Sequence, residues 1–433
     1  MRKLILLLFI ILGLISASEY FFFRFSHFAK TSEYFLSITQ KEDPYTEFVG
    51  EIYGIIKENY WEEINDEQLS NRFLTASREL APSQVLPSKD KKGVKKLIGE
   101  ITKDLAPQKR KELTLKLSEL TLASLLPNNR SRLYAQVNKE ALKNLVQNVD
   151  PKTDLYKNLG VSKQAPQEEV EKAYEKKVEE IKKEEVKKPE ETAKKLAEAN
   201  RAYEALKTAQ KRELYDKYKI EPTVSNKFIK PGVLYLPIKR ISPQTFAEFV
   251  NEINSINKDE HGDALILDLR GNIGGSIDLL PQFLGPFIGK NQYAFEFYQR
   301  GKPIPVKTVT DWLPSLVPYK NVVILVDQNT QSSAEIIASV LKKYNAGVLV
   351  GTKTKGWGTI ERVFDLKTQF DVGEKYSLFL VHTITLREDG QPIEGRGVEP
   401  LIDITQKDWD KELLKYFHRS DLVEAVKELL GSA

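Results

Sequence analysis

The chain has no cysteine, which excludes disulfides, thiolate nucleophiles and cysteine-ligated zinc. Histidine is scarce too. His27, His261, His382 and His418 are far apart in the 433 residues and form no ligand motif, so no metal site and no resident cofactor is expected. Charge of one sign is also lacking. The net +4 is the difference between 65 basic and 61 acidic residues that are interspersed, so nucleic acid is not an expected partner. With 41% hydrophobic and 29% charged residues the composition is that of a globular chain, long enough for two to four domains.

The amino terminus reads as an export signal. Arg2 and Lys3 precede Leu4 to Ala17, apolar throughout except for Gly13 and Ser16. Either residues 1–23 are a cleaved signal peptide, or Leu4 to Phe23 spans a bilayer of about 30 Å as an uncleaved anchor. The first reading places the body in the periplasm or outside the cell. The second keeps Arg2 and Lys3 cytoplasmic and holds the body against the outer face of the membrane.

Residues 42–150 show helical spacing without visible chemistry: Phe48, Ile52, Ile55, Ile56 and Tyr60, then Leu69, Phe73 and Leu74, then Leu97 to Leu126 broken at Pro107, then Leu133 to Val149. The texture changes over residues 151–220. DLYKNLGVS is a short helix stopped by Gly160, and two charged helices follow, Gln167 to Lys183 and Ala193 to Lys207. Pro222 to Gly232 reads as a linker. Beyond it strands alternate with helices, which argues for an α/β core. Val233 to Ile238 is a strand, Ser242 to Ile256 a helix, and Ala264 to Arg270 a strand apolar enough for burial on both faces. The chain is organised around VVILVDQNTQSSAEIIASVLKKYNAGVLVGTKTKGWGTI, Val322 to Ile360. This is strand, polar turn, helix, strand and glycine-rich turn. Ser332 and Ser333 lie where strand hands over to helix. A serine there is either a helix cap or a nucleophile among unpaired N–H groups.

Two resemblances follow. DLYKNLGVS, EVEKAYEKKVEEI and AEANRAYEALKTAQKRELYDKY, in that order, resemble the J-domain of DnaJ co-chaperones. J-domains carry His-Pro-Asp after the second helix, where this sequence has Lys182, Lys183 and Glu184. The resemblance therefore implies the fold and a recognition or spacer role, but no stimulation of an Hsp70 partner. The second resemblance is to the C-terminal processing (tail-specific) serine peptidases of family S41. It rests on GVLYLPIKRIS, ALILDLRGNIGG, VVILVDQNTQSSAEI, GTKTKGWGTI and DGQPIEGRGVEPLIDI, with EFVGEIYGIIKENYWEEINDEQL similar to that family's N-terminal helices. It implies Ser332 as nucleophile and Glu335 as a supporting residue, from the family's Ser-Ala-Ser-Glu. It also implies an oxyanion hole formed by the N–H of Ser333 with that of Gly274 or Gly275. Many members insert a PDZ domain before the core; no such stretch is visible, and the J-like helices stand there instead.

One position departs from the pattern. The family's base is a lysine in Gly-x-x-Thr-x-Gly-Lys-Gly, and Gly351, Thr354, Gly356 and Gly358 keep that frame with Trp357 in the lysine's place. An indole N–H only donates, so it takes no proton from serine. Lys355, two residues earlier, is a possible substitute base. His382, in a strand expected over Tyr376 to Leu386, reads as a strand histidine.

The expected architecture is an α+β and α/β multidomain chain: residues 1–23 signal or anchor, 42–150 N-terminal helices, 151–220 J-domain-like insert, 226–405 a ClpP/crotonase-like peptidase core, and 406–433 C-terminal helices. The expected function is that of a serine endopeptidase acting on exported or envelope proteins. The alternative is a degenerate relative that binds polypeptides as an adaptor or scaffold.

Overall fold

The structure is a computed structural model that describes residues 43–184, 189–256, 262–370, 373–387 and 389–431. The signal or anchor segment 1–23, His27 and His261 lie outside the described residues.

The first helices begin where capping chemistry allows. In α1 (Pro44–Asn59) proline fills the first position and Asp43 accepts from the Thr46 N–H. In α2 (Asp66–Leu80) Asn65 and Gln68 form a reciprocal capping box at 2.8 and 2.9 Å. With α3 (Lys91–Thr102) and α4 (Pro107–Ala123) they bury Phe48, Ile52, Ile56, Leu69, Phe73, Val94, Ile98 and Leu117 against one sheet. The sheet side of that contact is Leu378, Leu380 and Val381 of β10 (Tyr376–Thr385).

The helix expected over Leu133 to Val149 is corrected at its start. Arg132–Ala135 is a strand, β1, and the helix α5 runs Gln136–Gln147. β1 pairs antiparallel with β10, and Tyr134 stacks on Phe379 at 4.8 Å, so cross-strand packing overrides local helix propensity. The same sheet holds β5 (Tyr293–Gln299), β6 (Lys302–Lys307) and β9 (Thr359–Asp365), in the order β1-β10-β5-β6 with β9 also on β10.

The J-like segment forms α6 (Leu155–Leu159), α7 (Gln167–Glu184), α8 (Pro189–Leu206) and α9 (Ala209–Tyr218) around Leu155, Leu159, Val170, Ala202, Leu206 and Tyr215. Gly160 ends α6 in the left-handed conformation. Lys182, Lys183 and Glu184 lie in the last turn of α7, where helix replaces the turn of a J-domain. Arg201 reaches Asp150 and Glu221, and Lys211 reaches Glu252 at 2.6 Å, so the module is tied to the chain on both sides.

The second sheet is six-stranded, in the order β11-β8-β7-β4-β3-β2. Its members are β2 (Lys227–Lys230), β3 (Val233–Pro237), β4 (Ala264–Asp268), β7 (Asn321–Val326), β8 (Val348–Gly351) and β11 (Ile402–Asp403). The expected linker Pro222 to Gly232 thus contains a strand, β2, which pairs antiparallel with β3; the other neighbours are parallel. Alternation puts Leu234, Leu236, Leu265, Leu267 and Ile324 on one face with α10 (Thr245–Asn254), α11 (Leu280–Ile288) and α12 (Ser333–Lys343). Val233, Ala264, Ile266, Val323 and Val350 lie on the other with α13 (Trp409–Phe417) and α14 (Ser420–Gly431). Both faces are covered, as the apolar β4 run implies. Loops at the carboxyl ends of β4, β7 and β8 meet at one end of this sheet, the usual place for a site in a parallel sheet.

Candidate active site

The turn after β7 is tied by its own side chains. Thr330 Oγ1 donates to Leu269 O at 2.8 Å and accepts from Asp327 N–H, and the Gln331 N–H donates to Asn272 O at 2.9 Å. Ser332, the residue before α12, is thereby held at φ 57°, ψ −129°. A non-glycine residue there is strained, and such strain persists only where surroundings over-determine it. Ser332 is half-buried, and no amine or imidazole is hydrogen-bonded to its hydroxyl among the described residues. Among the described residues the Ser333 N–H, at the first turn of α12, has no partner, and neither does the buried Ser333 hydroxyl.

The glycine turn after β4 lies against this serine. A Cβ on Gly274 would fall 2.7 Å from Ser332 Cβ and 2.9 Å from Ser333 N, and one on Gly275 would fall 2.0 Å from Ile241 O. Only glycine fits at either position. The Gly274 N–H donates to Asn272 Oδ1 at 2.9 Å, which leaves the Gly275 N–H without a partner among the described residues. Of the two glycines expected to offer a donor beside Ser333, Gly275 has the free one.

Glu335 ties the serine turn to the second glycine-rich turn. It is fully buried and accepts from Ser332 N–H at 2.9 Å, Gly356 N–H at 2.7 Å, Trp357 N–H at 2.8 Å and the Thr354 hydroxyl. Burial pushes its carboxyl above the ordinary range, against the four hydrogen bonds. The backbones of Ser332 and Trp357 therefore flank one carboxylate.

Trp357 points its indole N–H at Glu361, 3.3 Å away, and the Arg130 guanidinium lies 3.7 Å from the ring centroid. Burial pushes the Glu361 carboxyl up to about 7. Lys355 donates its backbone N–H to Thr330 O at 2.9 Å, but its side chain is exposed and makes no hydrogen bond to Ser332 among the described residues. Lys353 pairs with Glu399 at 2.9 Å. His382 bonds Asn59 O at 2.8 Å through Nδ1, and burial lowers its pKa; its recorded contacts are with Asn59 and Gln299, away from Ser332. The structure thus brings together Ser332, Ser333, Glu335, Gly274, Gly275 and Trp357. Lys355 is near only by backbone. Arg130, Asn272 and Glu361 were not singled out from the sequence, whereas Thr354 was legible in its glycine frame; Arg130 comes from a different region and carries no local signal.

A serine at a strained strand-to-helix turn, facing the Gly275 N–H of a glycine turn, is an arrangement suited to a serine nucleophile beside an oxyanion-type site. Residues 232–404 match the model of peptidase family S41, and residues 154–216 match the DnaJ domain. The chain is 27% identical over 178 residues to the carboxy-terminal processing protease CtpB of Bacillus subtilis, covering 41% of this chain and 35% of that protein. It is 30% identical over 178 residues to CtpA of the same organism, covering 41% and 36%. The chain thus spans little more than a third of the length of these curated relatives. Among solved structures, the photosystem II D1 C-terminal processing protease aligns over 84% of this chain and 94% of its own, at 14% identity and a TM-score of 0.48.

Proposed function

We propose that this chain is a catalytically degenerate member of the C-terminal processing family, exported and held at or beyond the membrane by its N-terminal segment, that binds polypeptides at an intact cleft without efficient cleavage. One observation carries the reading: no amine or imidazole is hydrogen-bonded to the Ser332 hydroxyl among the described residues, and the position of the family's base is filled by Trp357, an indole engaged with Glu361. A serine hydroxyl without a base is a poor nucleophile, while fixed N–H donors still favour a bound carbonyl. The donors in this reading are Ser333 N–H and Gly275 N–H. Glu335 acts as a strut that holds both turns.

The experiment is to mix the protein with a dye-labelled unfolded polypeptide and follow anisotropy and chain integrity together. Saturable binding with an intact polypeptide, unchanged in Ser332→Ala, is the expected result. Ser332-dependent fragmentation at many turnovers contradicts it. That outcome fits the second reading, a peptidase in which Lys355 serves as base. The observation favouring that reading is the Lys355 N–H bond to Thr330 O, which puts an exposed lysine two residues from the serine turn. Lys355→Met then abolishes fragmentation.

A further inference from the structure

The place of the family's lysine is occupied by more than an indole. Four side chains from three regions converge there. Arg130 lies between α4 and β1, outside the matched peptidase domain. Its guanidinium covers the Trp357 ring, and its Nε and Nη2 both donate to Glu394 Oε1, at 2.9 and 2.8 Å. The other oxygen of Glu394 accepts the Gly358 N–H at 2.8 Å. Below the indole, Glu361 Oε1 accepts from Trp357 Nε1 and from Thr359 Oγ1, the latter at 2.6 Å. Arg130 and Glu394 are only 19% and 13% exposed, so this pair is held far more firmly than a surface one.

The segment that carries Arg130 is fixed on both sides. Leu126 O accepts from the Tyr60 hydroxyl and from Trp61 Nε1, and Ser131 Oγ accepts the Val381 N–H at 3.2 Å. Arg130 is thus delivered by the N-terminal helices and the antiparallel sheet to a position set by both. Its guanidinium is permanently charged and has no acceptor, so it is no substitute for a base.

We infer that Arg130 is a positioning residue of the site: it pins Trp357 as a fixed wall beside Ser332, so that the N-terminal region completes the cleft and keeps the base position closed. This rests on the reading above only in taking position 357 for that of the base. It extends that reading by making the site incomplete without residues 126–131. A cation fixed there also sets the charge environment of any group placed at 357. The charged groups facing that position are Arg130, Glu361 on β9, Glu394 in the loop after β10 and Glu335 on α12. Lys355, two residues earlier, is exposed.

Two measurements on the full chain test the inference. In the native protein, the emission of Trp357 is isolated as the difference between wild type and Trp357→Phe. It is expected to be shielded from acrylamide in wild type, to become quenchable in Arg130→Gln, and to be largely restored in Arg130→Lys. Equal quenching in all three overturns the inference. The second measurement uses Trp357→Lys and the pH dependence of Ser332 labelling by a fluorophosphonate. The introduced amine lies beside the Arg130 cation, which disfavours its protonation. Adding Arg130→Gln leaves the carboxylates unopposed and moves the labelling midpoint up by about 1 pH unit. A slower reaction with an unmoved midpoint is a purely structural effect and overturns the inference. If Trp357→Lys shows no labelling, the base assignment at 357 fails, and the quenching experiment still decides the role of Arg130.

Discussion

Glu335 and Glu361 are two buried-side carboxyls with opposite roles around one tryptophan. Glu335 receives four donors and has no donor of its own to offer when ionised. An amide there would turn an NH2 group toward N–H groups. Glu335→Gln is expected to destabilise the fold by about 3 kcal/mol, measured by urea denaturation, because buried donors lose their acceptor. Glu361 gives a pH signature. Its folded-state value near 7 lies above the ordinary carboxyl value of about 4.3. A raised acid binds its proton more tightly in the folded state. Its contribution to stability is therefore complete below about pH 4 and is lost as pH rises through about 7. Unfolding midpoints of wild type should fall over that window relative to those of Glu361→Gln, in which the slope is reduced. Parallel curves would show that Glu361 does not titrate in this range.

At the scale of elements, the sequence was most legible where one period ran without interruption. The stretches Ala264–Leu267 of β4 and Val322–Val326 of β7 were apolar at every position because both faces of the sheet are covered, by α10, α11 and α12 on one side and by α13 and α14 on the other. Short edge strands were harder to see. β1 and β2 have four residues each and sit at the edges of their sheets, so their identity comes from the strands they pair with, the distant β10 through Arg132 and Phe379 and the adjacent β3 through Phe228 and Leu234. The serine turn was legible from Ser332 and Glu335 together. The strain at Ser332 and the strut to Gly356 and Trp357 were not, because both depend on how two turns meet. The J-like module was legible from its helix order, and its core makes a testable demand. The Tyr215 hydroxyl donates to Thr153 O and accepts the Leu155 N–H, both at 2.9 Å, inside the module. Tyr215→Phe removes both bonds and is expected to cost about 1–3 kcal/mol. Hydrogen exchange should then rise in α6 and α9 and stay unchanged in α12. A uniform rise across the chain would mean that the module is not a separate cooperative unit.

Across the whole molecule, two stretches match family models, residues 154–216 and 232–404, and the proposed function turns on residues in each. The DnaJ domain has Lys182, Lys183 and Glu184 in helix where its relatives have His-Pro-Asp. In the segment matched to S41, Trp357, which the proposed function takes for the position of the base, lies under the guanidinium of Arg130 from the loop between α4 and β1. Arg201 and Lys211 tie the helical module to the neighbouring chain through Glu221 and Glu252. The central claim is that Ser332 is correctly placed but has no base. It is tested most directly by the rate at which a fluorophosphonate labels the full-length protein from neutral pH to about pH 10, where free lysine is largely deprotonated, with Ser332→Ala as the blank. The account predicts labelling no faster than the blank at every pH in wild type and Ser332-dependent labelling once Trp357 is replaced by lysine; rapid Ser332-dependent labelling of the wild-type protein would contradict it.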